Sequence, residues 1–516
     1  MPPGGEVRKG QRPFRRGPGQ SPGAAPGDSA VPPLPRSLAR NFLALAVSRV
    51  VQIASGFFVL LAVARTLPLD DYGQYATITA LAGAVVAVTY FGIQQIMIRD
   101  LVGNRHNAPA IIGRAVLLRL LLTIVAAVVL AGIGFFSGYS GPVALALGLA
   151  FGVEACRAMA MLGCAVFQAY ERMGYEPPLS IVSGLASLTF TGLALWQGWG
   201  FVGVLAGLCA AAGLHMALVW HVACKYMTRP LFVFDRAALW KMLATSSVVG
   251  LGVFFHQNLF RANTLALSWL ADLSAVADFQ APHEFILKLE ILPQALMLAV
   301  FPILSRLAPV DPGRAAHLYR TIFRHTLQAM ALPSILLAFY AEPACMLLFG
   351  HKFGGSVLVL RLLALALAPL ALDMLVNNLL VAIGRQRYAL YYAAAALVLN
   401  AGANAYAVPR YGVDGSAVVA LGSYLWLLAF STRFAARHGY GPQAFGPLLR
   451  VFGAGSACLG VCYPLRHIPL VGAAAGAVAY VTVLVALRGF RRSDIAELRA
   501  VMQVHPPLGK KTGEHV

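Results

Sequence analysis

Arg49 and Arg261 stand inside long apolar runs, and neither has an acid three or four residues away on either side. Arg49 falls in a helical stripe with Ser48, Gln52 and Ser55, and Arg261 shares a face with Gln257, with Asn258 three residues before it. A guanidinium carries a planar fork of donors that grips a phosphate or carboxylate through two parallel hydrogen bonds. In an apolar helix without a neighbouring acid, such a group predicts an anion site in a cavity lined by protein or water. The competing reading ties each arginine to an acid on another helix.

The other ionisable residues in apolar runs divide by spacing. Glu154 and Arg157 are three apart and Glu284 and Lys288 four apart, so each pair can close on one helix face. Arg361 sits near a helix end, from which a long side chain can reach the interface. Gln280, His283, Glu284, Lys288, Glu290 and Gln294 fall within about 160° of one another on a helix, too broad a polar arc for a lipid-facing element. Pro282, Pro293 and Pro302 predict kinks in the same segment. Asp373 with Asn377 makes a smaller polar spot. The candidate ligand-binding set is Arg49, Gln52, Gln257, Arg261, Lys288 and Arg361. Glu290 and Asp373 are candidate ion-coupling acids, with a structural hydrogen bond as the plainer role for each. Metal-ligand spacing and cofactor motifs are missing, and no Gly-x-x-x-x-Gly-Lys-Ser/Thr loop for nucleotide occurs.

The elements that must position these residues follow from composition. The chain has 516 residues, 59% hydrophobic and 12% charged, about half the roughly 25% charged share of soluble domains. That excludes a soluble enzyme, a nucleic-acid-binding protein and a disordered chain, and predicts an all-α polytopic membrane protein. Fourteen runs approach or exceed the ~20 apolar residues that cross a bilayer: 42–64, 76–98, 115–136, 143–168, 178–197, 201–223, 243–270, 279–304, 325–348, 355–383, 388–408, 413–432, 446–465 and 468–488. Residues 1–40, rich in Pro, Gly and Arg, lack the apolar core of a signal peptide and read as a disordered basic cytoplasmic tail. The tail 491–516 is similar and predicts a short helix at Ser493–Met502. The net charge of +20 suits the cytoplasmic bias of membrane proteins. With the N-terminus inside, 31 of the 40 Lys and Arg fall on the cytoplasmic side, and only Arg65, Lys352, Arg410 and Arg466 in outside loops. Both termini are then cytoplasmic. The seven cysteines lack a CxxC and read as small buried hydrophobes.

Three echoes recur at nearly one offset. Gln74 matches Gln280, the Gly-containing turn Trp199–Gly203 matches Tyr411–Gly415, and Arg172 with Tyr175 matches Arg385 with Tyr388. They predict six spans repeated in six, plus two at the end. The expected divisions are an N-lobe over 41–224, a cytoplasmic linker over 225–242, a C-lobe over 243–435 and two further spans over 436–490. Two parallel repeats around a midplane cavity form a transporter layout, in which the arginines of spans 1 and 7 occupy equivalent helices.

The stretch Ala64-Arg-Thr-Leu-Pro-Leu-Asp-Asp-Tyr-Gly-Gln-Tyr-Ala76 resembles the first outside loop of polysaccharide-export flippases. Ala299-Val-Phe-Pro-Ile-Leu-Ser-Arg-Leu307, the segment from Glu342-Pro to Phe353, Ala382-Ile-Gly-Arg-Gln-Arg387 and Val408-Pro-Arg-Tyr-Gly-Val-Asp-Gly-Ser-Ala417 follow that family in order and spacing, over about 40–490. The family belongs to the multidrug/oligosaccharidyl-lipid/polysaccharide exporter superfamily. The resemblance implies flipping of an undecaprenyl-diphosphate-linked oligosaccharide across a bacterial inner membrane, without enzymatic activity or cofactor. The implied partners are that lipid-linked glycan and membrane lipids, with a polysaccharide polymerase or export machinery as a further candidate. The neighbouring alternatives are a peptidoglycan-precursor flippase and a multidrug or cation exporter, whose cavity would be acidic or apolar. An integral-membrane polymerase or ligase is the reading from another class; it needs a sizeable outside loop with catalytic His and Arg, and only His351 and His467 lie in outside loops here.

Overall fold

The computed structural model describes residues 36–385 and 387–489. The expected tail 1–40 ends earlier than its composition suggests, since residues 36–40 belong to the first helix; residues 1–35 and the expected helix at Ser493–Met502 lie outside the described residues. Among those described there is no strand. The helices are α1 (Arg36–Thr66), α2 (Leu69–Tyr90), α3 (Ile93–Gly103), α4 (Ala108–Phe136), α5 (Gly141–Ala169), α6 (Glu176–Trp196), α7 (Gly200–Tyr226) and α8 (Arg236–Leu270). They continue with α9 (Leu273–Leu289), α10 (Ile291–Leu307), α11 (Pro312–Phe339), α12 (Ala341–Leu348), α13 (Ser356–Ala382), α14 (Arg387–Ala435), α15 (Phe445–Cys462) and α16 (Pro469–Ala486).

Local chemistry sets many of the boundaries. Proline occupies the first turn of α4, α5, α6, α11 and α16, where its missing N–H has no partner to lose. The Asp235 carboxylate accepts from the Ala238 amide at 3.1 Å to start α8, and Asp311 accepts from the Arg314 amide at 3.0 Å to start α11.

The protein is a multi-pass membrane protein. Eleven helical segments are long and apolar enough to cross a bilayer, or twelve with α8, which bends by 55° between Arg236–Ser247 and Gly250–Leu270. The difference from the fourteen expected segments has two physical sources. The first is α14, a single 49-residue helix only in name. Gly412 adopts φ 57° and ψ −136°, a region open to glycine alone, and reverses the chain. Asn400 Nδ2 therefore donates to Ser423 Oγ at 2.8 Å, although a continuous helix would hold residues 23 apart about 35 Å from each other. Residues 387–411 and 413–435 form an antiparallel pair. The second is the expected segment 279–304, which breaks at Glu290 into α9 and α10, of 17 residues each. At ~1.5 Å per residue neither alone reaches across a hydrocarbon core ~30 Å thick. The break falls three residues before Pro293, which cannot donate to the preceding turn; Pro282 lies inside an uninterrupted α9.

Packing groups α5 and α6 on α7, with α1 on α6, and groups α8 and α13 on α14, with α11 on α13. The helix α2 crosses between the groups onto α8 and α9. At that crossing the Gly73 backbone is so close that a methyl there would lie 2.0 Å from the Leu273 carbonyl oxygen. The largest apolar core surrounds it, with Leu67, Tyr72, Leu259, Phe279, Phe349 and Leu360 all buried. The final pair, α15 and α16, packs against α11 through Tyr340, Cys458, Cys462 and Tyr480. All seven cysteines are free thiols.

The positive charge bias generates a topology prediction. Reporter fusions after Lys241 and after Val516 are both expected to report cytoplasm, and a fusion after Gly350 the opposite side. An outside signal from either of the first two rejects this orientation.

Candidate functional site

A cavity of about 610 Å³ lies among α1, α2, α5, α6, α7, α8 and α9. Its walls gather five of the sequence-predicted residues: Arg49, Gln52, Gln257, Arg261 and Lys288. On α1, Arg49 Nη1 donates to Gln52 Oε1 at 3.5 Å, and Gln52 Nε2 donates to Ser180 Oγ of α6 at 3.1 Å. On α8, Arg261 Nη1 donates to the Gln257 carbonyl at 3.0 Å and to Gln257 Oε1 at 3.1 Å. The Arg261 guanidinium lies over Gly83 of α2, where a methyl would come within 2.5 Å of its Nε. Among the described residues, neither Arg49 nor Arg261 has a carboxylate within ion-pair distance.

The other two cavity cations are paired within their own helices, as their spacing predicts. Arg157 Nη1 meets Glu154 Oε1 at 2.9 Å, and Lys288 Nζ meets Glu284 Oε2 at 2.9 Å. Gln280 Nε2 donates to the second Glu284 oxygen at 3.2 Å and accepts from Thr264 of α8, tying α9 to α8. Glu176, the third carboxylate of the lining, accepts from Gln168 Nε2 at 3.3 Å. Four cations thus face three carboxylates, and the unmatched charge is carried by arginine.

Several expectations are displaced. Ser48 is buried and turned back onto the Ala44 carbonyl at 3.0 Å, outside the stripe expected with Arg49. The polar arc of 280–294 is divided by the helix break: Gln280, His283, Glu284 and Lys288 line the cavity, whereas Glu290 and Gln294 do not. Arg361 is not a cavity residue; it is exposed on α13 and donates from Nε to the Ala338 carbonyl at 3.3 Å. Asp373 is buried on α13, where its carboxylate accepts from Asn377 Nδ2 at 2.8 Å, away from the cavity wall.

Other residues escaped sequence reasoning. Ser180, Ser183 and Ser187 line the cavity from one face of α6, a stripe legible at spacings of three and four. Tyr72, Tyr75, Tyr90 and His215 add aromatic and polar wall. Arg119, one of the 31 Lys and Arg assigned to the cytoplasmic side, is fully buried, with Nη1 donating to the Ala158 carbonyl at 3.0 Å and its guanidinium 5.5 Å from the Tyr90 ring. The cause is the packing of α4 against α2 and α5, which covers this face.

A bundle of apolar membrane-spanning helices thus surrounds a charged, hydroxyl-rich cavity. Solved structures agree on the fold. A lipid II flippase, MurJ, in an inward closed conformation superposes with a TM-score of 0.69 at 13% identity, over 86% of this chain and 98% of that one. An outward-facing multidrug resistance MATE family transporter of the MOP superfamily gives 0.56 at 14% identity, over 78% and 95%. A MOP superfamily transporter from Pyrococcus furiosus gives 0.54 at 16% identity, over 82% and 96%. No curated protein matches the sequence. Residues 38–308 match the polysaccharide biosynthesis protein family, and the chain belongs to it.

The lining generates an accessibility prediction. With the native cysteines replaced by alanine, single cysteines at Ser55, Ser183 and Gln257 are expected to react with a charged, water-soluble thiol reagent, and a cysteine at Ser48 to resist it. Equal labelling at Ser48 and Ser183 would contradict the cavity wall described here.

Proposed function

We propose that this chain flips an undecaprenyl-diphosphate-linked oligosaccharide across the bacterial inner membrane for polysaccharide synthesis. The supporting observation is the pair of arginines, Arg49 and Arg261, facing one cavity without carboxylate partners. A diphosphate moving from the headgroup layer into a low-dielectric passage loses hydration, and an uncompensated phosphate charge there is costly. Two guanidinium forks on different helices offset that loss, each charge-assisted hydrogen bond contributing ~1.5–3 kcal/mol. The serine stripe of α6 and the amides of Gln52 and Gln257 offer partners to sugar hydroxyls. The polyprenyl tail stays in lipid. A drug-cation exporter needs free carboxylates in its cavity, whereas Glu154 and Glu284 are each engaged by a cation and the remaining one, Glu176, is outnumbered by Arg49 and Arg261.

Alternating access requires the helix groups to part at one end. At the junction of α1 with the α12 region, Arg65 Nε donates to the Leu348 carbonyl at 3.0 Å and Lys352 Nζ donates to the Arg65 carbonyl at 3.1 Å. Burial lowers the Lys352 pKa from its ordinary value, since water is replaced by backbone carbonyls around the ammonium. These bonds break together when the ends separate. In this reading the Arg49 side releases the diphosphate as the Arg261 side holds it.

Arg49→Ala and Arg261→Ala, inserted at normal levels, are each expected to lower glycan export by about tenfold or more, in line with loss of one charge-assisted bond. Lysine at either position keeps charge but not the fork, and is expected to restore export only partly. Gly83→Val displaces only the flexible end of Arg261 and is expected to approach the Arg261→Ala defect. Parental export from both alanine variants overturns the reading. Loss of peptidoglycan synthesis rather than glycan export would assign the peptidoglycan precursor as cargo.

Glu290 and Asp373 are proposed as coupling acids acting through the packing of α9 and α13, since neither lines the cavity. In vesicles, the Glu290→Gln/Asp373→Asn double variant is expected to flatten the pH dependence of flipping. Wild-type pH dependence in that variant rejects the coupling role.

A further inference from the structure

A second cavity, of about 260 Å³, shares no lining residue with the first. It sits where α3 and α4 meet the first half of α8, before the 55° bend. Three cations line it: Arg99, Arg114 and Lys241. Arg99 is held by its neighbour Asp100 at 2.8 Å. Arg114 reaches the Asp235 Oδ2 only at 3.9 Å, while the Oδ1 of that carboxylate caps α8. The Arg114 Nε is buried without a hydrogen-bond partner. Lys241 is exposed, and no acid among the described residues lies within ion-pair distance of it. A buried guanidinium nitrogen and an unpaired ammonium therefore line a space whose one acid, Asp100, is held by Arg99.

Beyond Asp100 and Thr245, the rest of the wall is apolar. Ile96, Ile111 and Met242 form the floor. Close by in the chain, Phe232, Phe234 and Trp240 are 60%, 71% and 70% exposed, as aromatic side chains at a headgroup boundary are. A free phosphate would use the cations and leave the apolar wall and these neighbouring aromatics unused. An anionic phospholipid uses both, and the charge bias assigns this end to the cytoplasmic leaflet, where such lipids concentrate.

We propose that this cavity binds the phosphate of an anionic phospholipid headgroup, with Arg114 and Lys241 as its principal donors. The lipid bridges α3 and α4 to the first half of α8, before its bend, and so biases how the two helix groups sit against each other without entering the transport cavity.

The test uses the full chain in phosphatidylcholine nanodiscs, titrated with fluorescent phosphatidylglycerol. Saturable binding is expected, weakened about fivefold by Lys241→Gln and about 25-fold by Arg114→Gln/Lys241→Gln, from the contribution of each surface cation to lipid attraction. Arg49→Ala is expected to leave it unchanged. Lys241 is exposed, so its single variant reports even if the double variant fails to fold. Unaltered binding in Lys241→Gln overturns the proposal, as does equal affinity for labelled phosphatidylcholine. Full displacement of the lipid by millimolar inorganic phosphate also overturns it, in favour of a soluble-anion site. Transport is not measured, so this outcome is independent of the flippase reading.

Discussion

A charged side chain inside the hydrocarbon layer costs ~2.5–3.5 kcal/mol on insertion scales unless a counter-charge or water meets it. The interior of this protein is arranged around that constraint. Glu154 with Arg157 and Glu284 with Lys288 settle it within single helix turns. Arg119 settles it against a backbone carbonyl and an aromatic face. Arg49 and Arg261 are left to a shared cavity. The cavity is thus the condition under which two unpaired guanidinium groups can exist at this depth, and the same cations make it attractive to an anion.

The surrounding helices differ in how firmly they are joined. Asn263 of α8 accepts from Asn404 at 2.9 Å and Asn400 at 3.3 Å of α14, and Asn400 donates onward to Ser423. These buried amide bonds join α8 to both arms of α14, although Asn404 Oδ1 itself has no partner. The contact between α1 and the α12 region is made instead by the side chains of Arg65 and Lys352 on carbonyl oxygens near the surface. Few atoms hold it, and water competes for each. The crossing of α2 over α9 at Gly73 brings backbone against backbone, within the largest apolar core.

Much of the fold was legible because membrane insertion reads local quantities: the length of an apolar run, the sign of its flanks, and the spacing of charges on one helix. Those quantities located the helices and predicted the pairs at 154/157 and 284/288. They also selected Arg49 and Arg261 as cations without a partner on their own helix. The serine stripe at 180, 183 and 187 was equally legible, though small hydroxyls stand out less than charges in an apolar run.

Tertiary structure decided what local spacing does not encode, namely distances between helices and the points where a helix stops. It placed Arg361 outside the cavity and brought Gln52 to Ser180 across 128 residues. The break at Glu290 turned half of a continuous polar arc away from the cavity, because side-chain direction depends on an unbroken helical phase. The packing of α4 against α2 and α5 buried Arg119. The sequence by itself determined a polytopic helical membrane protein with unpaired arginines on its first and seventh spans, since both follow from hydropathy and helical period. That these arginines meet in one cavity, and which neutral side chains share it, depended on the packing of α1, α6, α8 and α9, where contact is set by shape across long separations in the chain.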